Sequence, residues 1–175
     1  MHKLFSPLPN LYGGLIDSNE QETLELLESR TETATLSVHA GEAFAHFCQT
    51  IGTCQWSPLV TSVEPSQKNK NGLYTQVKLG AQTHSGVADY TLLYRYDNER
   101  HRVSWKSEPG SGRLPLAGSA QFIRIADNAC MMQYELALEI PTGLCKPWGD
   151  PIFHSGAAGA IVEEFRNYLR RYSGK

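Results

Sequence analysis

Apolar and polar positions alternate with a period of two over most of residues 59–140. In "LYTQVKL" the period gathers Leu73, Thr75, Val77 and Leu79; in "VADYTLLYRY" it gathers Ala88, Tyr90, Leu92, Tyr94 and Tyr96 and leaves Asp89 and Arg95 on the other face. "RVSWKSE" aligns Val103, Trp105 and Ser107, with Glu108 out of phase. "MMQYELALEI" aligns Met132, Tyr134, Leu136, Leu138 and Ile140. Successive side chains of a strand point to opposite faces, so each run predicts a strand with one face buried. "AQFIRI" fits two phases: either Phe122 points inward, or Ile123 and Ile125 do. The segments "NKNG", "HSG", "DNER", "EPGSG" and "ADNA" separate the runs with turn residues, which predicts a meandering antiparallel sheet.

Upstream, Ala34, Leu36 and Val38 alternate with Thr33, Thr35 and Ser37, which predicts a further half-buried strand. "GEAFAHFCQTI" then puts Phe44, Phe47 and Cys48 on one helical face, and Gly52 ends it. "SNEQETLELLES" reads as a short helix: Asp17 or Ser18 caps it, Glu20 and Glu22 suit its positive end, and Leu24 and Leu27 form a narrow stripe. Near the other end, Asp150 is an N-cap and Pro151 fits the first helical position. That helix should run to Tyr172, roughly 33 Å at 1.5 Å per residue. Its apolar stripe collects His154, Ala158, Ile161, Phe165, Tyr168, Leu169 and Tyr172, with Glu163, Arg166 and Arg170 opposite. A curved sheet must cover its apolar face, and this helix is the element that covers it. The small residues "SGAAGA" (155–160) leave space beneath it or permit close backbone contact.

Composition narrows the function classes. A chain of 175 residues with 41% hydrophobic and 19% charged residues suits one soluble domain. A net charge of -2 and a pI near 6.3 carry no footprint for nucleic acid. No apolar run reaches the length of a membrane span, no polybasic patch occurs, and "MHKLFSPLPNLYGG" lacks the apolar core of a signal peptide. Cys48, Cys54, Cys130 and Cys145 form no CxxC pair, which predicts free thiols and a cytoplasmic location. His39 and His46 lie in different elements with no carboxylate at metal spacing, so no metal is expected. Neither GxSxG, a P-loop nor GxGxxG occurs, the "GSG" at 110–112 has no following helix, and no cofactor is expected.

The order strand, helix, elbow, strands, long helix is joined by three segments: "VHAGEAFAHF" (38–47), "WSPLVTSVE" (56–64) and "VSWKSEPGSGRLPLAGSAQF" (103–122). Together they resemble the START-like, helix-grip superfamily (SRPBCC), in its polyketide cyclase/dehydrase and coenzyme-Q-binding branch, over residues 31–173. The resemblance implies an α+β fold: a curved antiparallel sheet wrapped around a long C-terminal helix, with two short helices after the first strand. It implies a helix-grip domain over 31–175 and an N-terminal extension over 1–30. Trp56 would wedge the elbow and Pro58 would open the second short helix; "GEAF" stands where a proline-containing start is more usual. The family includes lipid and quinone carriers and aromatases, so the resemblance says more about fold than activity.

It also implies a cavity between sheet and last helix. The residues expected to line it are Tyr90, Tyr94, Trp105, Phe122, Tyr134, His154, Ala158, Ile161 and Phe165. Aromatics with a polar tip suit a flat or polyenic ligand, but an ordinary sheet core uses the same residues, so both readings stand at this point. His154 is open to an acid–base role or to a plain helix-end role. Arg113, in "GSGRLPLAG" at the expected rim, is open to binding a carboxylate or phosphate or to simple solvation. Two functions follow. One is binding or transport of a hydrophobic small molecule (lipid, quinone or polyketide-like), with no nucleic acid and no integral membrane association. The other is a cyclase/dehydratase-type enzyme using the same cavity, with His154, Tyr134 and Arg113 as proton donors and anion anchor.

Overall fold

The structure, a computed structural model, describes residues 24–53, 57, 59–83, 86–112, 115–141 and 156–173. Among the described residues seven strands and two helices follow in this order: β1 (Leu24–Leu36), α1 (Ala40–Thr50), β2 (Val60–Lys68), β3 (Tyr74–Thr83), β4 (Gly86–Asp97), β5 (Arg102–Ser107), β6 (Leu116–Ala126), β7 (Ala129–Pro141) and α2 (Ala157–Ser173). The strands form one antiparallel sheet in the order β1-β7-β6-β5-β4-β3-β2. Strands β2 to β7 meander, each pairing with the next, and β1 closes onto β7. This is the curved-sheet α+β architecture that the alternation predicts.

The period of two becomes buried rows. Tyr94, Trp105, Gly118, Leu136 and Arg30 are direct neighbours across five strands, so all five share one sheet face. The adjacent row on that face is Tyr96, Val103, Ala120, Tyr134 and Glu32. The predicted inward residues of β3, β4 and β5, and Met132, Tyr134, Leu136 and Leu138 of β7, are buried or partly buried, while Asp89, Arg95 and Glu108 are exposed. The two phases of "AQFIRI" are decided: Phe122 is 1% exposed, whereas Ile123 and Ile125 are 37% and 58% exposed. Phe122 wins because it meets the helices.

Three expectations are corrected. Residues 24–29 form the start of β1, not the end of a short helix. Leu24 is in register with Pro141 and Leu26 with Glu139, so pairing along the 13-residue β7 overrides local helix preference, with a bulge between Leu26 and Glu28. Pairing with β7 brings residues 24–30 into the sheet. Among the described residues the last helix begins at Ala157 and is not continuous with the expected earlier start: Gly156 has φ +69°, outside a right-handed helix, and its carbonyl accepts the first helical hydrogen bond, from Ala160 N at 2.9 Å. Its buried stripe also shifts: Val162 is buried and Tyr172 is 59% exposed. The second short helix expected after α1, with Trp56 and Pro58, lies outside the described residues, as do Asp150, Pro151 and His154.

Helix α1 starts at an unusual cap. His39 Nδ1 accepts from Gly41 N at 3.1 Å, and its carbonyl accepts from Ala43 N at 3.0 Å, which satisfies two first-turn amides. The helix buries Ala43, Phe44, Phe47 and Cys48 against β6 and β7, while α2 lies over β1 and β7. Both sheet edges are guarded. Strand β2 carries Pro65 and three register shifts against β3, and β1 carries the exposed Arg30 and Glu32 on its inward phase.

Candidate functional site

The inner face of the sheet divides into two aromatic groups. In the first, Phe44 and Phe47 of α1, Phe122 of β6 and Phe165 of α2 interlock. Phe47 and Phe165 meet edge to face at 5.2 Å between ring centroids, Phe47 and Phe122 at 5.7 Å, and Phe122 and Phe165 at 5.9 Å. Phe165 is fully buried. These contacts fasten both helices to the sheet. From Phe165 a chain of rings leads outward through Tyr168 and Tyr172 to His46 on α1.

The second group runs from β4 across β5 to β7. Trp105 is its centre, with Tyr134 at 5.3 Å, Tyr94 at 6.1 Å and Phe47 at 6.4 Å. The indole lies over Gly118, its neighbour on β6: a Cβ there would sit 2.5 Å from the indole Cζ2. Two rows away, Tyr90 is fully buried beneath the β5–β6 loop. Gly112 crosses its ring with φ +74°, so close that a Cβ would fall 2.1 Å from Cε1. The loop is held there by Ser111, whose Oγ accepts from Thr91 N at 3.1 Å and donates to Glu108 O at 2.8 Å. In the row between, Ser107, in register with Leu92, is engaged too: its Oγ accepts from Leu116 N at 2.9 Å.

Burial controls the ionisable groups beside the cluster. It pushes the Cys48 thiol up to about 12 against an opposing backbone hydrogen bond, and the Cys130 thiol up to about 11. The Tyr96 phenol is raised first by burial and then by neighbouring Cys48, and its hydroxyl donates to Tyr74 O. Tyr168 is raised by burial and by Tyr172. All four are neutral near pH 7. Among the described residues no group of three or more metal-ligating side chains occurs, and no helix is long and apolar enough to cross a membrane.

Of the expected lining residues, Tyr90, Tyr94, Trp105, Phe122 and Tyr134 share the inner face, and Ala158 and Phe165 are on the buried side of α2. Ile161 is partly buried against the core. Phe122 and Phe165 belong to the helix-fastening group and not to the tyrosine–tryptophan group. His154 and Arg113 lie outside the described residues. Arg30 and Glu32, which alternation over residues 33–38 does not reach, also fall on the inner face. The signal was present: the alternation of Leu36 and Ala34, run backwards, lands on both.

No family model and no curated protein matches the sequence. Solved structures do. An aromatase/cyclase, Zhui, of a Streptomyces species superposes with a TM-score of 0.68 at 9% identity, over 82% of this chain and 94% of that one. Norcoclaurine synthase of Thalictrum flavum gives a TM-score of 0.65 at 11% identity, over 83% and 96%. A START superfamily protein from Mycobacterium smegmatis gives 0.60 at 13% identity, over 81% and 93%. At such identities the likeness is one of fold. Together with the closed strand order and the final helix laid on the inner face, it shows that the chain has the START-like, helix-grip fold.

Proposed function

We propose that the protein binds and carries a hydrophobic, ring-bearing or polyenic small molecule between the inner face of the sheet and α2. The observation that carries this reading is the Tyr94–Trp105–Tyr134 cluster beside Tyr90. It is an aromatic surface that runs from β4 across β5 to β7, and Phe47, one of the phenylalanines that fasten the helices over β1, β7 and β6, stacks on its Trp105. Among the described residues of β4 to β7, the inward phase carries phenols and one engaged serine but no histidine or carboxylate, which supports carriage over acid–base chemistry. Structurally similar proteins include an aromatase/cyclase, so cyclisation of a polyketide-like chain is the alternative, with Tyr134 the candidate proton donor among the described residues. We place the protein in the cytoplasm, consistent with the free, buried Cys48 and Cys130.

The test is titration of wild type and Ala158→Phe with a hydrophobic fluorescent probe and with quinones. Ala158 is buried on the inward side of α2, so a phenyl group there takes the guest's room. Wild type should bind, and the variant should stay folded by circular dichroism and bind weakly. Equal binding by both would place the ligand elsewhere, and unfolding of the variant would show that the space beneath Ala158 is already filled.

A further inference from the structure

We propose that Arg30 anchors the anionic head of the ligand, which makes that ligand a carboxylate-bearing amphiphile; this rests on the cavity reading above. The register carries the inference. Arg30 pairs directly with Leu136, a buried inner-face residue, and so it shares that face although β1 is an edge strand. It ends the row Tyr94–Trp105–Gly118–Leu136–Arg30. Four strand spacings of about 4.8 Å separate its ends, about 19 Å along the sheet. An apolar body lying on the Trp105 side can therefore present its polar end at the β1 edge.

Arg30 is exposed and enters no ion pair among the described residues. Its stem can follow the apolar row while the guanidinium stays hydrated, so holding it there costs little. Its planar fork of donors matches a carboxylate in two parallel hydrogen bonds. Glu32, two residues on, does not claim it. The Glu32 carboxyl carbon lies 3.9 Å from where a Gly159 Cβ would stand, beneath the first turn of α2, whose positive end attracts it. The competing explanation is that an inward charge merely guards the edge strand against pairing with another chain. The two explanations differ in what they predict for binding.

The experiment is titration of wild type, Arg30→Gln and Arg30→Lys at low salt with parinaric acid, a fluorescent polyenic acid, and with its methyl ester. Size-exclusion chromatography runs alongside. Wild type should prefer the acid by about tenfold, the scale of one partly screened charge-assisted contact. Arg30→Gln should lose that preference with ester affinity unchanged, and Arg30→Lys should keep part of it. Equal wild-type binding of acid and ester, or a preference that survives in Arg30→Gln, overturns the role of Arg30 and leaves the cavity reading standing. A variant that self-associates yet still prefers the acid overturns it in favour of edge protection. Failure of wild type to bind either probe overturns the cavity reading and this inference together.

Discussion

Gly118→Ala tests how tightly the tryptophan cluster is built. A methyl group on Gly118 would stand 2.5 Å from Trp105 Cζ2, 2.6 Å from Cε2 and 2.6 Å from the Glu135 carbonyl oxygen. Two of these neighbours belong to one ring, and that ring is hemmed in by Tyr134, Tyr94 and Phe47. The third belongs to the paired strand β7 and moves only with the ladder. Overpacking of this kind costs about 1–3 kcal/mol. Alanine also stiffens the unfolded chain, which returns about 0.4–1 kcal/mol. The net expectation is a loss of about 1–2 kcal/mol. Urea unfolding followed by far-UV circular dichroism measures it as a lower midpoint with an unchanged slope. A double-mutant cycle locates the strain: with Trp105 already truncated to alanine, Gly118→Ala should cost less, with a remainder set by the Glu135 carbonyl. A Gly118→Ala protein as stable as wild type would refute the argument, because it would mean that the indole does not lie on the glycine.

Phe165→Ala should remove about 3–5 kcal/mol, since Phe165 joins α1, β6 and α2 in one set of ring contacts; a loss under about 1 kcal/mol in a denaturant melt would detach α2 from the core. The buried thiols set an alkaline limit. Their ordinary value is 9.0, and the folded values are about 12 for Cys48 and about 11 for Cys130, so the unfolded chain loses its thiol protons first. Their contribution is fully present below pH 9 and falls as pH rises through that window. Unfolding midpoints measured from pH 8 upward should fall less steeply in Cys48→Ala and Cys130→Ala than in wild type, and parallel curves would count against the assignment.

Much of the sheet was legible because each run buries one face against the helices. Trp105 or Leu136 shifted by one residue would meet water, so alternation alone sets their phase. Phe122 was not decidable in this way, because Ile123 and Ile125 are equally apolar and only the meeting with Phe47 and Phe165 separates them. The start of β1 was hidden for another reason. Residues 24–29 carry glutamates and leucines at spacings that suit a helix, and their strand form comes from β7, a partner far along the chain. Gly156 cut the last helix short through a backbone angle that no pattern of polarity records. On the inner face, the aromatic residues were readable from period two, whereas Arg30 falls on the same phase in a polar stretch whose strand form comes from β7.

The closure of β1 onto β7 has a consequence for how the molecule is made. Leu36 pairs with Cys130, a separation of 130 − 36 = 94 residues, whereas the strands from β2 to β7 pair with neighbours in sequence. At a synthesis rate of about 5–20 residues per second, β1 waits roughly 5–19 s before its partner has even been polymerised. The later hairpins can zip up as they emerge, but the first strand must stay extended and unclaimed, and joining it last carries the greatest loop-closure cost in the sheet. A uniformly apolar β1 would be sticky throughout that interval. Charges at Arg30 and Glu32 lower the apolar character of the waiting strand, and with it the tendency to pair with other nascent chains.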